Sequence, residues 1–355
     1  AFAAPQGTFE SQLAGEAGMI VGEQGAADSK SLATTPDGSG PYTLDTAKTV
    51  KGSAYVVNRK DGVDAAKYPY QTLTYKVITD KTARANAVIS GQVDVAIIDG
   101  STADLVKSRG TGLAKNGGTV LEMPFFDKLG TTAKAVGDKR VRLAMNYAID
   151  RQSLVDALYK GARPTANAFP EASKGYDPAL DTTYAYNPEK AKQLLADAGY
   201  PTGFEFNVTT SPDAKTVMEA FQKMFEAVGI KMNIKVTTST DEIFAAVATQ
   251  PIGYLPLGWA NEVGVTAGVL VGGFANVQHA ENPVIGAALG KASNAKGDGQ
   301  AAALKELNHA LVDEGWIIPI AEQYSYIGYN TKKVAEPKFP GLDGIPLLTT
   351  LQPAG

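Results

Sequence analysis

The chain of 355 residues has no cysteine and only two histidines, His279 and His309. Without cysteine there is no disulfide framework, no thiol nucleophile and no thiolate metal site. Two histidines are too few for a recognisable zinc site, because a His279/Glu281 pair would lack further ligands at a familiar spacing. No G-x-S-x-G elbow occurs, and Gly272-Gly273 lacks the strand and the G-K-[ST] ending of a phosphate loop. Paired carboxylates are plentiful on any chain with 37 acidic residues, so glycosidase chemistry has no specific support. No apolar run reaches the roughly 18 residues of a membrane span. Basic residues are not in excess: 33 Lys and Arg against 37 Asp and Glu give a net charge of −4. That balance excludes a basic footprint for nucleic acid. The opening AFAAPQGTFE has no initiator methionine, no basic segment and no apolar core of a signal peptide. It reads as a chain processed, or cut from a longer one.

Apolar residues make up 44% of the chain and charged residues 20%, ordinary values for a globular protein with a substantial core. The length suits two domains or one large one. Residues 1–40 read as a short helical piece and a polar loop running into the turn P-D-G-S-G-P-Y. Strands are expected at Ala54–Val57 and Leu73–Ile78. A helix capped by Asp80 and stopped by Gly91, then a strand at Val93–Ile98, would complete a strand–helix–strand crossover. A strand at Thr119–Pro124 follows. The spacing also predicts strand Phe204–Thr209, helix Ala214–Val228 and strand Lys231–Thr237 as a second crossover. Helix Asp241–Thr249 and strand Ile252–Trp259 would form a third. Arg163–Tyr186 reads as a Pro/Gly/Tyr-rich surface segment, and Val263–Ala280 is ambiguous. Ala301–Val312 reads as an amphipathic helix and Trp316–Tyr329 as strand.

The most informative stretch is Gly137–Pro164, GDKRVRLAMNYAIDRQSLVDALYKGARP. Val141, Ala144, Met145, Ala148 and Ile149 recur at helical spacing. Asp150 is placed to cap a second helix at Gln152 or Ser153. Leu154, Val155, Leu158 and Tyr159 continue its apolar face, and Gly161 suits a left-handed stop. The wording V-R-x-A-x-x-Y-A-I-D-R resembles the peptide-binding class of ABC-transporter solute-binding proteins, bacterial extracellular family 5. Further matches follow in order: Gly38–Tyr42, Tyr55–Arg59, Asp80 with Arg84 and Gly91–Asp94, Asn187–Tyr200, and Gly229-Ile230 before a strand.

The resemblance implies an α/β, type II periplasmic-binding-protein-like fold, two-lobed, with mixed sheets flanked by helices and an N-terminal part missing. Residues 1–125 would be a partial first lobe, 126–334 the second, and 335–355 a tail returning to the first. The absent opening strand would leave a sheet edge open to self-association. The implied activity is capture of a peptide or small solute in an inter-lobe cleft, and its delivery to an ABC permease. No cofactor is implied. The intact protein would be extracellular or periplasmic and membrane-tethered, often through a lipidated cysteine. Non-peptide solutes such as nickel chelates, oligosaccharides and opines, or a permease-independent sensor or chaperone, remain alternatives. With part of the cleft missing, weak or no peptide binding by this chain alone is expected.

By the same resemblance, the W-x-x-[DE] element that receives a peptide's ammonium group reads Trp259-Ala260-Asn261-Glu262. Glu262 takes the acidic position, one methylene longer than the usual Asp. The alternative is a solvated loop glutamate. At the end of another strand, Thr210 and Ser211 stand where dipeptide binders carry an arginine, so dipeptide specificity is not implied. A plain turn is the alternative there. Trp259 and Tyr254 could line the cleft or pack in their strand's own core.

Overall fold

A computed structural model describes residues 21–28, 30–33, 35–258, 261–339 and 348–355. Residues 1–20 of the expected helical opening, and Trp259 and Ala260 of the W-x-x-[DE] element, lie outside the described residues. The chain divides into two compact units, Ala1–Asn116 with Ser325–Gly355, and Gly117–Tyr324.

Unit 1 contains a three-stranded antiparallel sheet of β1 (Tyr42–Leu44), β2 (Ala54–Arg59) and β3 (Thr72–Lys76), in that order. Helix Lys81–Ile89 starts where Asp80 accepts a hydrogen bond from the Ala83 amide at 2.7 Å. It is followed by Gly91 at φ 75°. Then come β4 (Val95–Ile98), helix Gly100–Ser108 and β5 (Gly112–Pro124), the strand that carries the chain into unit 2. Ala85, Val88, Ile98 and Val106 form this unit's core. The expected crossover between the strands flanking helix Lys81–Ile89 does not form. β3 pairs with β2, whereas β4 pairs antiparallel with the last strand of the fold, Tyr326 opposite Ile98. An apolar run shows that a strand is buried, not which strand it pairs with.

Unit 2 continues with β6 (Arg163–Pro164), β7 (Phe204–Thr210), β8 (Ile230–Val236), β9 (Leu255–Leu257) and β10 (Ile317–Tyr329), which returns the chain to unit 1. β7 and β8 pair in parallel from Phe204↔Ile230 to Thr210↔Val236, with helix Lys215–Glu226 between them in sequence. The second expected crossover is therefore present. The third is not: β9 pairs antiparallel with β5, Val120 opposite Leu257 and Glu122 opposite Leu255. β9 is also much shorter than the expected Ile252–Trp259: the ladder covers Leu255–Leu257, and Ile252 makes only an isolated bridge to Phe125. A helix at Pro283–Asn294, not among the expected elements, is capped by Asn282.

The helical pair is present at Lys139–Tyr147 and Arg151–Leu158, and Asp150 accepts from the Ser153 amide at 3.0 Å. Val141, Ala144, Met145, Ala148 and Ile149 are fully buried, and pack with Phe221, Phe225, Ile318 and Ile320. A second core of unit 2 gathers Phe169, Leu307, Leu311, Trp316 and Ile317.

The two arginines of the V-R…D-R wording are buried as well. Arg142 donates to the carbonyls of Val136, Gly137, Glu314 and Gly315 at 2.9–3.1 Å. Arg151 donates to the carbonyls of Asn146, Thr165, Tyr184 and Pro319, and to Asn146 Oδ1. Through Arg151 the segment after β6 is drawn inward. Thr165–Pro170 is buried, so the surface segment expected over Arg163–Tyr186 is in large part core. Its polar side chains are satisfied there, with Asn308 donating to Asn167 Oδ1 and to the Gly175 carbonyl, both at 2.9 Å.

Truncating Arg151 would leave several buried carbonyls without donors. Arg151→Ala is expected to lower the unfolding free energy by about 3 kcal/mol or more, read from urea denaturation.

Candidate functional site

β10 reaches the end of unit 2 with Glu322, Gln323 and Tyr324. Glu322 stands opposite Arg163 in the β6–β10 ladder and is fully buried. One of its oxygens accepts from Arg163 at 2.8 Å and from the Glu171 amide at 3.1 Å; the other accepts from the Gly118 amide at 3.2 Å. Arg163 also pairs with Asp181 at 2.6 Å and lies 5.0 Å from the centre of the Tyr176 ring. Burial alone would lower its pKa, but Glu322, Asp181 and Tyr324 outweigh that and hold it above the ordinary arginine value. Burial pushes the Asp181 carboxyl up, yet donors from Thr165, Tyr176 and Asn167, with the Arg163 charge, bring it below the usual range. Tyr324 in turn donates to Glu171.

The same loop reaches Glu262. Ser173 is buried and donates its hydroxyl to Glu262 Oε1, while its oxygen accepts from the Gly175 amide at 2.9 Å. Glu262 is half-buried, and its Oε2 takes no hydrogen bond among the described residues. Asn261 accepts from the Gly264 amide at 2.9 Å, capping the short helix Glu262–Val265. Its side-chain oxygen is therefore occupied by the backbone.

The other expected ligand residues lie elsewhere in unit 2. Thr210 is buried at the end of β7 and its carbonyl accepts from the Thr237 amide. Ser211 is half-buried and precedes the turn Pro212–Ala214. The Tyr254 hydroxyl is 2.7 Å from that of Tyr159, and its ring packs 6.1 Å from Phe221. Burial, then the Tyr159 bond, push the Tyr254 phenol well up. Among the described residues, no hydrogen bond or ring contact joins Tyr254, Thr210 or Ser211 to Glu262.

Arg163, Glu171, Ser173, Asp181 and Glu322 were not among the expected site residues. Glu322 had a readable signal, a lone acid inside the apolar run I-I-P-I-A-E. Glu122, in V-L-E-M-P-F, carries the same signal. It is fully buried, both its oxygens lack hydrogen-bond partners among the described residues, and burial raises its pKa well above the ordinary value. His279 and Glu281 line a recess of about 410 Å³ with Trp316, but no cluster able to hold a metal occurs among the described residues.

The family model for bacterial extracellular solute-binding proteins, family 5 Middle, matches residues 1–270. The chain belongs to that family. Among family 5 relatives, heme-binding protein A of Haemophilus influenzae is 31% identical over 217 residues, covering 58% of this chain and 38% of that protein. The glutathione-binding protein GsiB of Salmonella paratyphi A is 30% identical over 220 residues, covering 58% and 40%. The chain thus spans about two-fifths of the length of these curated relatives. The structure of HbpA2 from Haemophilus parasuis superimposes with a TM-score of 0.77 at 21% identity, over 99% of this chain and 72% of that one. The type II periplasmic-binding-protein-like fold expected of family 5 is accordingly the fold found.

Removing Arg163 leaves Asp181 and buried Glu322 without their cation. Arg163→Ala is expected to cost about 3 kcal/mol at pH 7. Arg163 is one of the causes that hold the Asp181 carboxyl below its usual range, so its loss lets that pKa rise towards the unfolded value. Stability from a depressed carboxyl pKa is lost as pH falls through the folded value, so the deficit should shrink below about pH 4. Urea midpoints of both proteins between pH 7 and about pH 3 read this out.

Proposed function

We propose that this chain carries solute-recognition elements of an ABC importer's binding protein, and that the solute is a peptide or peptide-like molecule with a free ammonium group. The observation that carries the reading is Glu262: half-buried, oriented through Oε1 by Ser173, with Oε2 open to a further donor. An ammonium group there would form a charge-assisted hydrogen bond. Glutathione, in the name of one relative, is a tripeptide; heme, in the name of the other, makes a non-peptide solute the second reading. The action is capture and hand-over to a membrane permease, with no bond made or broken. The place of action is outside the cytoplasmic membrane, with a tether in the intact protein. No described helix is long and apolar enough to cross a membrane. The two compact units correspond to the family's lobes, and the outer edge of β3, where Tyr75 is exposed, is the edge available for self-association.

NMR titration of the full 355-residue chain, which reads weak affinities, tests the proposal with trialanine, reduced glutathione and hemin. Trialanine is expected to bind, N-acetyl-trialanine to bind about tenfold more weakly, and Glu262→Ala to impose a similar loss, ~1.4 kcal/mol. Equal affinity for the free and acetylated peptides would remove Glu262 as the ammonium site. Binding of hemin alone would favour the non-peptide solute.

A further inference from the structure

Glu122 is an anomaly within unit 2. A buried carboxyl is ordinarily hydrogen-bonded, because leaving it unpaired forfeits the water it gave up. Here neither oxygen has a partner among the described residues. Along β5 the side chains alternate between two cores. Leu121 and Met123 belong to one, and Val120 and Phe126 to the other. Glu122 shares the face of Val120 and lies opposite Leu255 of β9.

That cover is slight. β9 is three residues long and ends its side of the sheet. Pro256 at its centre has no amide hydrogen and is exposed, while Leu255 and Leu257 are only half-buried. Gly258 beyond it is exposed, with open space around it. The same segment continues to Glu262 and then into a π-helical stretch, Thr266–Val271, an irregularity common at functional sites. A short edge strand with few hydrogen bonds opens at low local cost.

We infer that Glu122 is a second recognition residue: β9 moves off it, and a cationic side chain of a bound peptide, lysine or arginine, pairs with its carboxylate. The inference rests on the reading of Glu262 as the ammonium site. A cation would supply the donors that both oxygens lack. With β9 closed, burial favours the neutral acid. Pairing with a cation therefore releases a proton.

The test uses the full chain, wild type and Glu122→Gln, titrated by NMR with trialanine, Lys-Ala-Ala, Ala-Lys-Ala and Ala-Ala-Lys. At least one lysine peptide is expected to bind about tenfold more tightly than trialanine, and Glu122→Gln to abolish that preference while leaving trialanine affinity and the urea midpoint unchanged or raised. Carbodiimide and glycinamide labelling, read by mass spectrometry, is expected to modify Glu122 under native conditions faster than global unfolding allows. A preference that survives Glu122→Gln, or no preference in the wild type, overturns the role of Glu122 while trialanine binding and its loss in Glu262→Ala leave the first reading intact. Labelling no faster than global unfolding overturns the movement of β9. A wild-type chain that binds none of these peptides overturns both readings.

Discussion

A guanidinium has five N–H donors and no acceptor, so it can be buried only inside a ring of oxygens. Arg142 and Arg151 meet that condition with backbone carbonyls drawn from distant parts of unit 2. Arg142 ties the helical pair to the turn before β10, and Arg151 ties it to β10 itself and to the loop after β6. Carbonyls cannot be moved without moving the chain. The two side chains therefore set where β10 and the Thr165–Tyr184 loop run. Everything polar at the end of unit 2 hangs on those two segments.

Glu322 arrives on β10, while Asp181, Glu171 and Ser173 arrive on the loop. Arg163 joins the first to the second through Glu322 and Asp181. Ser173 then fixes one oxygen of Glu262. A carboxylate held in this way loses less freedom when a ligand's donor arrives, which is the physical content of preorganisation. The surplus of acid around a single guanidinium also gives this end a negative sign.

Much of this was legible in the residues. Helix ends could be read because their chemistry is local: Asp80 and Asp150 each accept from an amide three positions on, and Gly91 and Gly161 take up positive φ beyond the helices that precede them. The buried face of Val141–Ile149 followed from its period. The ordered wording of the helical pair pointed to the family. Strand pairing was less legible. β3, β4 and β9 have the apolar pattern of strands, but that pattern does not choose between β2, β5, β8 and β10 as a neighbour. Of the expected ligand residues, only Glu262 is joined to the Ser173 loop among the described residues, and the acids inside apolar strands went unread.

The sequence by itself determined where the helices capped by Asp80 and Asp150 start, which face of the helical pair is buried, and the family to which the chain belongs. Each depends on residues a few positions apart, or on a linear order of short motifs. Only the tertiary structure decided that Arg163–Tyr186 turns inward, that Ser173 meets Glu262 across 89 positions, and that Arg163 bridges Asp181 and Glu322. Only the tertiary structure, too, left Glu122 buried without a partner among the described residues. Those outcomes follow from the need to satisfy buried donors and acceptors, and that need is met through space by whichever groups the packed chain brings near.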